Sequence, residues 1–559
     1  MNKLFSTIPE EHIAKLSTTV FWSFISIACL YKLWLSSVVP FTVTMSYPGD
    51  QTWFFKNALS ISSGKWLGES YNHYTLIKGP VYSLFLSAVS NLGISPKLAI
   101  DMLYVFASLT FLLALRISLN NKFAIALGFV LVLGNPITFS DFWAEPLRIN
   151  IYTPLVLIYL SSLIALLAFA YEKPDKLPVH WMLLCGASLA LAWNTREESI
   201  WMLSSLGPLM LITLWRIWQK KHLTMLLLSW AIIISIPTAT WHYLAGINET
   251  HYGFKGISEF KGTQFVRAAN ALYSLNTADD DKPYHYLSQT TIDKLNAIST
   301  RTRRLAKAML KDDGITFKKK SAALGSHSSW AIRSAMAKDG YYKNFAETEL
   351  AYQKIAKDIE DYCQQNADNC RKTYIPGLLL KPEGFKRIDD NLIRGLQKLI
   401  RFQHFPPALS LEKRKRGDRK FQYLVNRFFN MHTDFNSEYE RLSDITKTET
   451  QRKNMLKKIH QRYQNDYFPL LTLTIIIAIL TVLLNKQWQP KMIGLMLLGS
   501  FAGSFGIYLL IISFVAHDLA RAIVSSSIPM LCFSAYFLGL GVQSILNRLK
   551  YVANHHFFN

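Results

Sequence analysis

Long apolar blocks alternate with short charged punctuation along this chain, and several approach or exceed the ~18 residues with which a helix crosses a bilayer. They run from Leu16 to Trp34, Ile149 to Tyr171, Leu223 to Trp241, Tyr467 to Leu484, Met492 to Ala516 and Ala522 to Leu546. The pattern predicts an all-α integral membrane protein. Between the third and fourth blocks it changes character. From Ser329 to Tyr362 the residues Trp330, Ile332, Met336, Tyr341, Phe345, Leu350, Tyr352 and Ile355 recur near three-and-four spacing with charges between them, as in an amphipathic helix. Three parts follow: an N-terminal transmembrane module (1–247) with a first outer loop (38–97), a mainly helical insertion (248–466), and C-terminal transmembrane helices (467–559).

The short loops set an orientation, because their Lys and Arg favour the cytoplasm. Arg116 with Lys122, Lys173 with Lys176, Arg216 with Lys220 and Lys221, Lys486 with Lys491, and Arg548 with Lys550 share one side if Val81 to Leu92 does not cross. That segment is short and broken by Asn91 and Gly93, so it reads as an interfacial helix on the outer side. About ten spans with cytoplasmic termini result. The insertion, the first loop, Ser140 to Glu145, Asn194 to Glu198 and His517 to Arg521 then all lie outside. The first block follows a charged lead of Lys3, Glu10, Glu11 and Lys15, which does not suit a cleaved signal peptide.

Net charge is +23, and most of the Lys and Arg sit in the insertion. Its most basic run, Glu412 to Lys420, reads first as a solvated loop, and otherwise as a contact for anionic lipid headgroups or an anionic glycan. Nucleic acid is not an expected partner, since the run lacks interleaved aromatics and faces away from the cytoplasm. Cys29, Cys185 and Cys532 lie in apolar segments. Cys363 and Cys370 flank a short polar loop that a disulfide would close in an oxidising compartment.

Candidate chemistry gathers in the first outer loop. Tyr47-Pro48-Gly49-Asp50 has the composition of a turn that Asp50 would close. It stands, however, just beyond the first apolar block, and Asn72-His73-Tyr74-Thr75-Leu76-Ile77-Lys78-Gly79-Pro80 follows within the same loop. An aspartate after the first span, an amphipathic stretch, Gly64-Lys65-Trp66, and then Lys78-Gly79-Pro80 before a new span together resemble the first outer loop of the GT-C glycosyltransferases. The bacterial aminoarabinose transferases and the protein mannosyltransferase relatives are the most similar in this pattern. Lys-Gly-Pro stands where those families carry Lys-Pro-Pro, and Gly-Asp where they carry Asp-Glu.

The resemblance implies a GT-C-like fold in a bacterial inner membrane. It also implies inverting transfer of a sugar from a polyprenyl-phosphate donor to an envelope glycan or lipid. Carried onto this chain, Asp50 is the candidate general base and Lys78 the donor-phosphate contact. Asp141 and Glu145 fall where such proteins often place a second acidic residue for metal or acceptor contact, which leaves a divalent cation (Mg or Mn) open as a cofactor; the bland alternative is a surface carboxylate paired to Arg148. Arg196 and Arg521 are further phosphate candidates, since a guanidinium grips phosphate with two parallel donors. For Arg196 a structural pair with Glu197 or Glu198 is the alternative. His73, Tyr74, Glu197 and His517 complete the set as acceptor-binding or orienting groups. The helix around His327, Trp330 and Arg333 reads as packed, with a solvated arginine, and otherwise as facing an acceptor. Two rival functions stand beside the transferase: a membrane-anchored binding or assembly protein for envelope polymers, and a transporter. No Walker or Rossmann phosphate cradle occurs, so a nucleotide-sugar donor is not expected.

Overall fold

The computed structural model describes residues 10–39, 41, 50–172, 176–219, 223–275, 285–310, 323–371, 382–402, 405–408, 428, 447–515 and 520–556. Helix α1 (Glu10–Ser36) is followed by two short helices packed on each other, α2 (Asp50–Ser62) and α3 (Val81–Asn91). Then come α4 (Pro96–Ser118), with proline in its first turn, and α5 (Lys122–Leu133), whose start is capped by the Asn121 side chain accepting from the Phe123 and Ala124 amides. A 3-10 turn (Pro136–Phe139) and α6 (Asp141–Ala144) lead into α7 (Ile149–Glu172) and α8 (Val179–Trp193). A second 3-10 segment (Glu197–Leu206) runs into α9 (Gly207–Trp218) and α10 (Leu223–Tyr252).

Among the described residues seven helices are long and apolar enough to cross a membrane, and α3, α5 and α8 are shorter apolar helices. The protein is a predominantly α-helical, multi-pass membrane protein. Helix α7 is apolar on every face and is buried continuously from Ile149 to Ala168, so it forms the centre against which α4 and α8 pack.

The insertion has its own core. Helices α11 (Gln264–Ser274), α12 (Gln289–Ile298), α13 (Thr300–Leu310), α14 (Gly325–Lys338) and α15 (Phe345–Gln365) bury Leu272, Ile292, Leu305, Ile332, Tyr352 and Ile359 together. Two short strands, β1 (His285–Leu287) and β2 (Ala323–Leu324), pair antiparallel beside them. The helical period read across Ser329 to Tyr362 belongs to two helices rather than one. Gly340, at φ +82°, ends α14 with a left-handed turn that a side chain resists, and the Asn344 side chain caps the new start at α15. Cys363 and Cys370 are joined as a disulfide at the far end of α15.

Helices α16 (Pro382–Lys386) and α17 (Ile388–Arg401) lead back toward the membrane part. There α18 (Lys447–Leu484), α19 (Trp488–Leu510) with a π-turn at Ile511–Val515, and α20 (Ala520–His556) complete the chain. The helices run unbroken through both ends of the insertion: α10 continues past residue 248, and α18 is already helical well before residue 466. The insertion is seated on the spans as well as tethered to them, since the Tyr286 hydroxyl donates to the Phe514 carbonyl at 2.9 Å.

Candidate functional site

Four separate segments bring charge to the insertion side of the helices. Asp50 is the first residue of α2, where the helix dipole favours a carboxylate. Phe54, one turn on, is buried and forms a floor: the Lys78 ammonium lies 5.5 Å and the Arg148 guanidinium 5.8 Å from its ring centre. Above that floor Lys78 pairs with Asp50. Arg148, just before α7, pairs with Glu197 at 2.7 Å and donates to the Thr195 carbonyl at 2.8 Å. Arg196 pairs with Glu198 and lies 5.6 Å from the Tyr152 ring.

The loop bearing Lys78 is built by short-range bonds. The Asn72 side chain accepts from the Tyr74 amide at 2.9 Å, the Thr75 amide donates to the Asn72 carbonyl at 2.9 Å, and Trp53 of α2 donates to the Tyr74 carbonyl at 2.9 Å. Gly79 brings the loop onto the 194–198 corner. A Cβ at position 79 would fall 1.9 Å from the Asn194 carbonyl oxygen, so only glycine fits there. This is the physical reason for Lys-Gly-Pro in this chain.

Electrostatics joins the pairs into one group. Burial pushes the Lys78 ammonium below its ordinary value, against the opposing pull of Asp50 and with Arg148 and Glu197 also acting on it. Burial alone would raise Glu197. Arg148, helped by Lys78, nevertheless holds its carboxyl below the usual glutamate range.

Glu145 accepts from Gln51, the residue that follows Asp50 in α2, at 2.9 Å, whereas Asp141 is exposed at the start of α6. Arg148 is taken by Glu197 rather than serving the second-loop carboxylates, and Arg196 adopts the structural pair with Glu198. The His73 ring rests on Tyr74 at 3.9 Å, and the two face Tyr342 and Trp330 of the insertion. Arg333 is not solvated. It is fully buried and paired with Glu259, because the helix face that carries it is turned onto the first loop. His517 and the basic run Glu412 to Lys420 lie outside the described residues, as do the side chains of Arg521 and His327. Among the described residues no three His, Cys, Asp or Glu side chains gather as a metal site.

One buried charged group escaped the reading of the sequence. Lys97 pairs with Asp101 one turn along α4 and donates to the Ser36 hydroxyl at 2.7 Å, while Trp143 donates to the other Asp101 oxygen at 2.8 Å. Lys32 donates to the Thr138 hydroxyl and sits 3.3 Å from the Phe139 ring centre. These contacts tie α1 and α4 to the segment that presents Glu145. The Lys-x-x-x-Asp spacing in α4 was a legible signal for the first pair.

Fold and site thus define a multi-pass helical membrane protein with a partly buried, paired ionic cluster where its insertion meets the spans. No protein-family model matches the chain, and no curated protein does. Among solved structures the chain is similar to the crystal structure of ArnT from Cupriavidus metallidurans bound to undecaprenyl phosphate, with 12% identity and a TM-score of 0.32 over 93% of this chain and 77% of that one. The apo crystal structure of the same protein gives 12% identity and a TM-score of 0.30 over 94% of this chain and 77% of that one.

Proposed function

We propose that the protein is a GT-C-type membrane glycosyltransferase that moves a sugar from a polyprenyl-phosphate donor to an envelope glycan or lipid. The observation that carries this reading is that Lys78 and Arg148 meet over the buried Phe54 ring, each paired with a carboxylate from another segment, Asp50 and Glu197. The first-loop motifs around Asp50 and Lys78, set out from the sequence, agree with it.

In this reading the donor phosphate takes Lys78 and Arg148 as partners, which frees the carboxylates beside them. The acceptor hydroxyl attacks the anomeric carbon, the carbon–oxygen bond to the phosphate breaks, and the proton passes to Asp50. Polyprenyl phosphate leaves with one more negative charge than it had as the diester. Lys78 and Arg148 stabilise that growing charge, which is where fixed donors lower a barrier most. Until the donor arrives, Glu197 holds Arg148 in place. His73 and Tyr74 supply aromatic and polar surface to the acceptor.

The test is transfer of radiolabelled sugar from a panel of undecaprenyl-phosphate sugars to envelope lipids, in membranes carrying wild type, Asp50→Asn or Lys78→Ala at equal expression. Loss of a general base lowers the rate about 100-fold or more. Undiminished transfer in both variants would remove the assignment. No transfer with any donor would favour a binding or assembly role centred on the insertion.

A further inference from the structure

The loop that carries Lys78 is held from the insertion at four carbonyls. Arg333 of α14 donates its Nε to the His73 carbonyl at 2.8 Å and an Nη2 hydrogen to the Thr75 carbonyl at 2.9 Å. The Glu259 amide donates to the Leu76 carbonyl at 2.9 Å, and the Ser258 hydroxyl to the Ile77 carbonyl at 2.9 Å. The Glu259 carboxylate closes the arrangement by pairing with Arg333, and both side chains are fully buried. The guanidinium lies 5.3 Å and 5.1 Å from the ring centres of Phe265 and Tyr342, two aromatic residues of the insertion.

This bonding explains an otherwise costly backbone. Leu76 has φ +59°, in the left-handed region that a leucine avoids unless its surroundings impose it. A planar guanidinium can address two carbonyls and a carboxylate at once, which a lysine ammonium of the same charge does not reproduce. Lys78 follows Ile77 directly, so its backbone position is fixed by the same bonds.

We infer that Arg333 is a positioning residue: through its buried pair with Glu259, the insertion clamps residues 73–77 and so sets Lys78 against Asp50 and Arg148. The clamp itself is a matter of geometry; its kinetic consequence rests on the glycosyltransferase reading. On this view the insertion is part of the catalytic unit rather than an appended module.

Hydrogen–deuterium exchange on the full chain in nanodiscs separates the two. In Arg333→Lys the backbone of residues 72–82 is expected to exchange about ten-fold faster or more, with a smaller rise in Ser258→Ala, while α11 and α15 keep their protection. For sugar transfer, kcat of Arg333→Lys should fall roughly 10- to 100-fold with the acceptor KM nearly unchanged, as expected for a misplaced rather than a missing group. Unchanged exchange at 72–82 in both variants would overturn the clamp. Equal loss of protection through α11, α14 and α15 would overturn it too, by showing that Arg333 only holds the insertion core. A loosened loop with wild-type kcat would remove the positioning role. If the loop loosens as expected but wild type transfers no sugar, the clamp stands and the glycosyltransferase reading falls.

Discussion

Replacing Gly79 with alanine tests whether the first loop and the 194–198 corner act as one body. The added Cβ would meet the Asn194 carbonyl oxygen at 1.9 Å and its carbonyl carbon at 2.9 Å. Carbon and oxygen that are not bonded stay about 3.3 Å apart or more. The two segments must therefore separate by roughly 1.4 Å, because both partners are backbone and no side chain can rotate away. That displacement is shared between Lys78 on one side and Thr195, whose carbonyl receives Arg148, on the other. Overpacking of this kind costs about 1–3 kcal/mol of stability, and a shift of ~1 Å at a reacting group costs about 100-fold in rate. The assay is kcat for sugar transfer beside thermal unfolding followed by tryptophan fluorescence. Wild-type kcat and an unchanged Tm in Gly79→Ala would refute the reasoning. Gly79→Pro, which restores the Lys-Pro-Pro of the resembling families, carries a Cβ as well and should be no better.

Two further outcomes follow from the charges. Lys78 titrates below an ordinary lysine because burial outweighs its partner, so donor affinity should fall as pH rises through that lowered value, while Lys78→Arg holds its affinity. The sign for stability is opposite: between the folded and unfolded values the unfolded chain binds more protons, so this group's contribution to stability rises with pH. Donor KM measured from pH 7 to about 10 checks this, and identical flat profiles for both proteins would count against it. Asp101→Leu leaves Lys97 buried without its carboxylate and should cost about 3–5 kcal/mol, with much of the loss recovered in Asp101→Leu/Lys97→Met. Thermal unfolding reads both variants, and a double variant no better than the single would contradict the pairing.

The membrane helices were legible because a 20-residue apolar block has few alternatives, and the first loop because Asp50 and Lys78 stand conspicuously within it. That the two side chains form one ion pair was not legible, since 28 positions separate them and only the packing of α2 on α3 closes the gap. For Arg148 the sequence offers, as one of two alternatives, a carboxylate of its own loop. Its partner, Glu197, lies beyond α7 and α8. Arg333 was misread for the same reason. Among Ala331, Ile332 and Ser334 a lone arginine looks like the wet edge of a helix, and nothing local shows that this edge is turned onto residues 73–75. Sequence periodicity reports which face of a helix is apolar, whereas a buried arginine depends on what stands opposite.

The three ion pairs at the site, Lys78 with Asp50, Arg148 with Glu197 and Arg196 with Glu198, together carry no formal net charge. A site of that kind is not an electrostatic trap. An arriving anion gains a cation only by displacing the carboxylate already seated on it, so entry is an exchange of counterions rather than an addition. Small inorganic anions, which bring charge but little surface, have nothing with which to offset the displaced partner. A ligand with a long apolar tail does, because burial of the tail contributes what the exchange of charges does not. Selectivity at such a site is set by what the anion is attached to.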